Sequence, residues 1–366
     1  MRFSRRLPVD RPNRLARLLA ERPPALDLTV SNPTVAGFRY PSELWAALAD
    51  PAAATYAPSP RGLPAARAAV AAHVGVPAES IVLTASTSEA YAWLAKLLCD
   101  PGDAVLCPEP SYPLFEHLLA LEGVRPLPYP LAYDGEWHID FAALGGDARA
   151  IIVVSPGNPH GAYLKRAEWE RLGDLGLPVV CDEVFADYPI LGARDAMVPA
   201  ARPDARALTF SLGGLSKSCG LPQVKLGWIA AAGPGADEAL ARLEHIADTY
   251  LSVSAPTMAA APRLLEIGAA VRDQIRARVR ANHDLLAGRV VGTAATLLRA
   301  EGGWSAVLRV PGTRSDEELA LALLGERGVL VHPGYFFDLR GGTFLVVSLL
   351  TPPETFAAGI DAILGA

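Results

Sequence analysis

The chain has 366 residues, 51% of them apolar and 20% charged, a balance that excludes general disorder and fits two domains at roughly 150 residues each. No apolar run approaches the ~18–20 residues of a membrane span, and the start MRFSRRLPVD has no apolar core of a secretory signal. The net charge of −6 supplies no electrostatic reason for a nucleic-acid partner. Cys99, Cys107, Cys181 and Cys219 form no C-x-x-C pair, which argues against a disulfide framework or a thiolate zinc site and makes the cytoplasm the expected compartment.

Up to about residue 60 the sequence is proline-rich and irregular, apart from an expected helix over Arg11–Glu21. From Ile81 a strand–helix alternation sets in. Ile81–Ala85 reads as a strand, Glu89–Cys99 as a helix stopped by Asp100-Pro101-Gly102, and Ala104–Cys107 as a second strand, with a helical stretch after Pro113. Ala150–Ser155, Pro178–Cys181, Leu208–Ser211 and Leu226–Ala231 read as buried strands. Such alternation predicts an α/β fold, a mostly parallel sheet sandwiched by helices. After Gly233 the pattern becomes helical over Asp237–Tyr250 and Ala255–Ala287. The remainder reads as a small α+β unit, with strands near Ser305–Val310, Val329–His332 and Thr343–Ser348 and helices at Ser315–Arg327 and Pro353–Leu364. The expected division is an N-terminal segment, 1–35, packing on the small domain, a large domain, 36–265, and a small C-terminal domain, 266–366.

Only four of the 33 basic residues are lysines: Lys96, Lys165, Lys217 and Lys225. Arginine replaces lysine on a surface but not as an amine nucleophile, so the pair Lys217 and Lys225 in SLGGLSKSCGLPQVKLGW marks a place where an amine is used. Open α/β sheets bind ligands beyond the carboxyl ends of their strands, which selects four loops. Ser86, Thr87 and Ser88 follow the first strand; Ser86 and Glu89 have capping-box spacing, so a helix N-terminus with free amides and hydroxyls lies there, suited to an anion. Pro156-Gly157-Asn158-Pro159-His160-Gly161 is a rigid turn presenting one amide. Asp182 and Glu183 end a buried strand and need a positive partner. Lys217 sits in a glycine-rich loop with Ser216 before it. Ser216 stands where a P-loop requires glycine, and the chain has no G-x-S-x-G, H-E-x-x-H or early G-x-G-x-x-G, so the ATPase, simple hydrolase, zincin and dinucleotide readings lack their residues.

In chain order the S/T-rich helix start, Ser111-Tyr112-Pro113, P-G-N-P-x-G, Asp182-Glu183-Val184 and S-K-x-x-G-L-P-x-x-K-x-G resemble the fold-type-I, pyridoxal-phosphate-dependent aminotransferases of class I/II, from about Asn32-Pro33 to the last helix. The resemblance implies pyridoxal 5'-phosphate as cofactor and transfer of an amino group between an amino acid or related amine and a 2-oxo acid. It implies that Lys217 holds the cofactor as a Schiff base and moves the proton, that Asp182 pairs with the pyridine nitrogen, that Asn158 donates to the phenolic oxygen and that Tyr112 stacks on the ring. Ser86, Thr87, Ser88 and Lys225 would hold the phosphate, with Ser216 beside them, and Tyr56 would reach the phosphate of a neighbouring subunit in a homodimer. The alternative on the same fold is a lyase, decarboxylase or cyclase.

Three positions depart from the family pattern. Phe185 stands where the family has a tyrosine, with Tyr188 one turn further on as a substitute donor. Gly214 replaces a phosphate-binding serine or threonine. Val346 replaces the arginine that grips the substrate carboxylate, so either Arg39, Arg61, Arg309 or Arg340 takes it or the substrate is not an ordinary α-amino acid. Phe38, Tyr40, Tyr250, Tyr335 and Phe336 are aromatics expected near a substrate pocket, Tyr335 foremost because it follows a strand end. No histidine pair has metal-ligand spacing.

Overall fold

The computed structural model describes residues 3, 4, 6, 12–192 and 197–365. In chain order its elements are α1 (Arg14–Glu21), β1 (Leu26–Asp27), α2 (Glu43–Ala47), α3 (Pro64–Val74), β2 (Ile81–Thr84), α4 (Thr87–Leu98), β3 (Ala104–Glu109), α5 (Phe115–Leu121), β4 (Arg125–Tyr133), β5 (Trp137–Ile139), β6 (Ala150–Val154), α6 (Arg166–Asp174), β7 (Val179–Asp182), β8 (Thr209–Gly214), α7 (Leu215–Ser218), β9 (Gly227–Ala232), α8 (Ala236–Tyr250) and α9 (Ala255–Val290). The C-terminal part adds β10 (Thr296–Leu297), β11 (Ser305–Val310), α10 (Asp316–Arg327), β12 (Val329–Leu330), β13 (His332–Pro333), β14 (Thr343–Ser348) and α11 (Pro353–Leu364).

Eight strands form one sheet in the order β2-β9-β8-β7-β6-β3-β4-β5. β9 runs antiparallel to both its neighbours and β5 antiparallel to β4, while the other pairings are parallel, so the mostly parallel sheet expected from the alternation is present. Both faces are covered because alternate side chains point opposite ways. Val82, Val105, Ile152, Val180, Phe210 and Ile229 pack with α4, α5 and α8. Their sequence neighbours Ile81, Leu83, Trp228 and Ala230 pack with α3 and α9, and Ile151, Val153 and Cys181 with α6. A strand buried on both faces has no polar alternation, which is why IVLT and AIIVV read as continuous apolar runs.

The longest strand, β4, is absent from the sequence reading because Pro126, Pro128 and Pro130 interrupt it. In parallel pairing with β3 those prolines fall at every second residue, so the missing N–H groups lie on the side away from β3. β5 bonds only Leu131–Tyr133 there. Helix α3 also carries no assignment in that reading; Pro64 starts it and Gly75, at φ 79°, ends it. The helix expected over Arg11–Glu21 begins at Arg14, with Asn13 capping the amide of Ala16, and Arg11 lies outside the described residues.

The small sheet has the order β10-β11-β14-β13. β1 pairs in parallel with β12, and Leu15 of α1 packs with Leu324 and Leu330, so the N-terminal segment lies on the C-terminal unit. The 36-residue α9 joins the two bodies, its inner face from Met258 to Leu286 buried in the largest core cluster.

Candidate active site

β2, β6, β7 and β8 all point the same way, so their carboxyl ends deliver four loops to one edge of the sheet. A cleft of about 410 Å³ opens there, lined by Ser86, Thr87, Ser88, Tyr112, Asn158, Asp182, Ser216, Lys217 and Lys225. The small sheet closes it with Trp304, His332, Val346 and Ser348.

Helix α4 starts two residues earlier than expected, at Thr87, with Ser86 as its N-cap. Ser86 Oγ accepts from the Glu89 amide at 3.2 Å, but the capping box is not reciprocal: Glu89 accepts instead from the Ala85 amide at 2.6 Å and from Ser252 Oγ at 2.8 Å. The amides of Thr87 and Ser88 have no acceptor among the described residues, which leaves two donors and the positive end of the helix dipole facing the cleft. Gly227 permits the close approach of β9 to this turn: a Cβ there would lie 2.9 Å from the carbonyl carbon of Ser86 and 3.1 Å from the Thr87 nitrogen. Lys225 completes the anion-binding corner. It is an exposed lysine at φ 59°, ψ 59°, a conformation that costs a non-glycine residue about 1–2 kcal/mol and is retained beside the cleft.

Asp182 ends β7, and its carboxylate is held from two sides. Tyr91 donates its hydroxyl to Oδ2 at 2.9 Å, and the Val184 amide donates to Oδ1 at 3.0 Å. Burial raises the Asp182 pKa, and these hydrogen bonds together with Lys217 oppose that rise. Lys217 stands in α7, immediately after β8, with its ammonium 5.1 Å from the centroid of Trp304 and 5.7 Å from that of Phe185. Burial lowers its pKa and Asp182 raises it. Desolvation thus favours the neutral amine that a nucleophile needs.

Asn158 is held by a tight turn in which the Gly157 amide donates to the Ala162 carbonyl and the Gly161 amide to the Gly157 carbonyl. His160 folds back beneath it; burial pushes its pKa down to about 3, and its Nδ1 accepts from the Ala162 amide at 3.2 Å. Tyr188 does not substitute for the tyrosine replaced by Phe185. Its hydroxyl donates to the backbone carbonyl of Lys217, fixing the α7 turn instead.

Other expected residues lie elsewhere. Tyr56 is exposed on a separate pocket with Trp93 and Ser252, outside this chain's own cleft. Tyr335 does not line the cleft: its amide bonds Asp316 and its ring packs edge-on against Phe336, because the turn after β13 faces α10. Arg39 is exposed, its amide bonded to Gln274, and Arg340 pairs with Glu109 at 3.0 Å. Arg61 is half-buried with Nε and Nη2 unpartnered, away from the cleft, and Arg309 lies opposite Phe344 at the exposed side of β11. No arginine is among the described residues lining the cleft. Phe38, Tyr40, Tyr250 and Phe336 do not line it either; Phe115, Phe337 and Trp304 do.

Sequence reasoning missed Tyr91, Trp304 and His332. Tyr91 could have been found one helical turn after Thr87, on the same face of α4. Trp304 and His332 carry no local signal, since the contact that brings them here is between the two sheets. The loop bearing Trp304 is fastened to the large unit: Glu301 and Gly302 amides donate to Gly161, the Gly303 amide donates to Tyr188, and the Glu301 carboxylate accepts from the Tyr163 amide and from Lys165.

The donor set fits pyridoxal phosphate: two free amides and a lysine for a phosphate, a buried carboxylate held for a pyridine nitrogen, and a lysine of lowered pKa across from it. Comparison with known proteins agrees. Residues 24–363 match the family described as aminotransferase class I and II. The arginine–pyruvate transaminase of Pseudomonas aeruginosa is 29% identical over 290 residues, spanning 76% of this chain and 72% of that one. An alanine aminotransferase of Mycobacterium tuberculosis is 31% identical, over 60% of this chain and 54% of its own length. Among solved structures, the N-succinyldiaminopimelate aminotransferase of Mycobacterium tuberculosis superposes with a TM-score of 0.81 at 25% identity, covering 96% of this chain and 95% of that one. The alanine aminotransferase of Pyrococcus furiosus, at 21% identity and a TM-score of 0.83 over 96% of this chain and 94% of that one, shares the fold. The chain belongs to the class I and II aminotransferases, a family that uses pyridoxal phosphate.

Proposed function

We propose that this cleft is where an amino group moves between an amino acid or related amine and a 2-oxo acid. The observation that carries the reading is the convergence of Lys217, Asp182, Asn158, the α4 N-terminus and Lys225 from separate strand ends. Bound there, the cofactor supplies an electron sink for the carbon that loses its proton. Ser86, Thr87 and Ser88 with Lys225 bind its phosphate, Ser216 sits beside it, and Asn158 orients its ring through the phenolic oxygen. Tyr112 covers a ring face. Asp182, whose carboxylate accepts from the Tyr91 hydroxyl and the Val184 amide, would pair with the ring nitrogen and hold it protonated. Lys217 holds the cofactor and carries the proton at its Nζ; Trp304 and Phe185 beside it exclude water from that atom.

Exposed Tyr56 suits a role across a homodimer, reaching the partner's cleft. The reading as segments 1–35, 36–265 and 266–366 is supported by the presence of two sheets, with the 265/266 boundary falling inside the helix α9 that joins them. A cytoplasmic setting accords with four cysteines that are all free. Among the described residues no helix is long and apolar enough to cross a membrane.

The test is Lys217→Ala beside wild type. Wild type with added pyridoxal phosphate gains a visible absorption band that borohydride abolishes, and it moves nitrogen to a 2-oxo acid. The variant loses both. Product formed without consumption of a 2-oxo acid would favour a lyase, and full activity of the variant would remove Lys217 from its role.

A further inference from the structure

Transfer to a 2-oxo acid brings at least one carboxylate into the cleft in every catalytic cycle, and that carboxylate needs a receiving group. Of the basic residues lining the cleft, Lys217 faces the reacting carbon and Lys225 the phosphate corner; the remaining one is His332. It stands on β13 directly opposite Val346 of β14 in antiparallel register, so both side chains project on the same face of the small sheet. Val346 is buried among Val307, Phe337 and Leu298 and offers nothing polar. The His332 ring packs against Phe336 and Phe337, with centroids 5.9 and 5.8 Å away, and no hydrogen bond to its nitrogens is formed within the described residues. Among the described residues, His332 is thus a part-buried imidazole without a hydrogen-bond partner in a cleft that no arginine lines.

We propose that His332 receives the substrate carboxylate, taking up a proton as the acid binds. The inference rests on the proposed placement of amino transfer at Lys217. Among the described residues, the C-terminal unit lines the cleft with no lysine or arginine, so the positive charge arises on His332 as the substrate binds. The groups around the ring are consistent with this. Asp27, from β1, is the charged neighbour and favours the imidazolium; burial favours the neutral ring. β14 presents Val346 and the 334–337 turn presents Phe336 and Phe337, none titratable, and α10 packs inward with Ala320, Leu323 and Leu324. A neutral ring rejects no uncharged substrate and binds an acid at the cost of one proton taken from solvent.

The experiment is isothermal titration of pyruvate, 2-oxoglutarate and the neutral isostere pyruvamide into the holoenzymes of wild type, His332→Ala and His332→Arg between pH 6 and 8. Wild type should bind at least one of the acids, more tightly as pH falls. His332→Ala should weaken that binding about 10- to 100-fold, the range of a charge-assisted hydrogen bond, and leave pyruvamide unchanged. His332→Arg should restore it with a flat pH profile. Equal losses for acid and amide, an unchanged affinity in His332→Ala, or no binding of either acid to wild type would overturn the assignment. The borohydride-sensitive absorption of Lys217 persists in both variants, so its loss marks failure of the cleft reading, not of the His332 assignment alone.

Discussion

Tyr91→Phe isolates one of the hydrogen bonds that oppose the burial-driven rise of the Asp182 pKa. Tyr91 is 5% exposed and its hydroxyl lies 2.9 Å from Oδ2, so phenylalanine fills the same space and deletes one donor. A hydrogen bond to a charged acceptor contributes about 1.5–3 kcal/mol and one to a neutral acceptor about 0.5–1.5 kcal/mol. Burial already raises the Asp182 pKa above its unfolded value. The native state therefore binds that proton more tightly than the unfolded chain, and ionising Asp182 is a penalty present in full above the folded pKa and relieved as pH falls toward the unfolded one. Removing Tyr91's donor deepens the penalty of the ionised form most. The cofactor-free variant should thus lose about 1.5–3 kcal/mol where folded Asp182 is ionised and only about 0.5–1.5 kcal/mol where it is protonated, so the loss shrinks as pH falls, read from urea midpoints with the slope unchanged. A loss independent of pH, or one that grows toward pH 5, would refute the reasoning.

Four further outcomes follow from named contacts. Asp182→Asn removes the attraction that raises the Lys217 pKa, so in the cofactor-free protein reductive methylation of Lys217 at pH 7.5, followed by peptide mass mapping, should speed up while Lys96 does not change. Gly227→Ala places a methyl 2.9 Å from the Ser86 carbonyl carbon and should weaken pyridoxal-phosphate affinity about tenfold or more by displacing the α4 start, measured by fluorescence titration; unchanged affinity would take the phosphate away from that helix. Lys225→Met should weaken the same affinity and reduce its salt dependence, since a point charge on the phosphate is lost. Lys165→Met leaves the Glu301 carboxylate, 9% exposed, with Arg299 3.8 Å away as its cation; a loss of about 1–3 kcal/mol in denaturant unfolding with lowered kcat is expected, because Glu301 fastens the loop that carries Trp304.

The elements legible in the sequence were those whose signal is local. Ile81–Thr84 and Ala150–Val154 are apolar throughout because both sheet faces are covered, and Ser86 announces α4 because its side chain serves an amide three residues away. The strand-end loops carrying Asn158, Asp182 and Lys217 could be placed on one edge from topology alone, since parallel strands share a carboxyl end. The scarcity of lysine singled out Lys217 and Lys225 before any geometry was known. Strand β4 was hidden because its prolines mimic a loop and become tolerable only at the position β4 occupies beside β3.

The tertiary structure decided everything that depends on contacts between distant segments. Tyr91 reaches Asp182 across 91 residues, and Tyr188 is taken by the Lys217 carbonyl and so is unavailable to the ring. None of the described arginines lines the cleft, plentiful as composition made them, and the register of β13 against β14 puts a histidine beside Val346. Periodicity and capping act over one helical turn or one pleat, so the sequence by itself determined the apolar central strands, the strand-end loops and the lysine. Which side chain meets which across the cleft depends on the packing of two sheets joined by α9, and that is written in no stretch of sequence shorter than the whole chain.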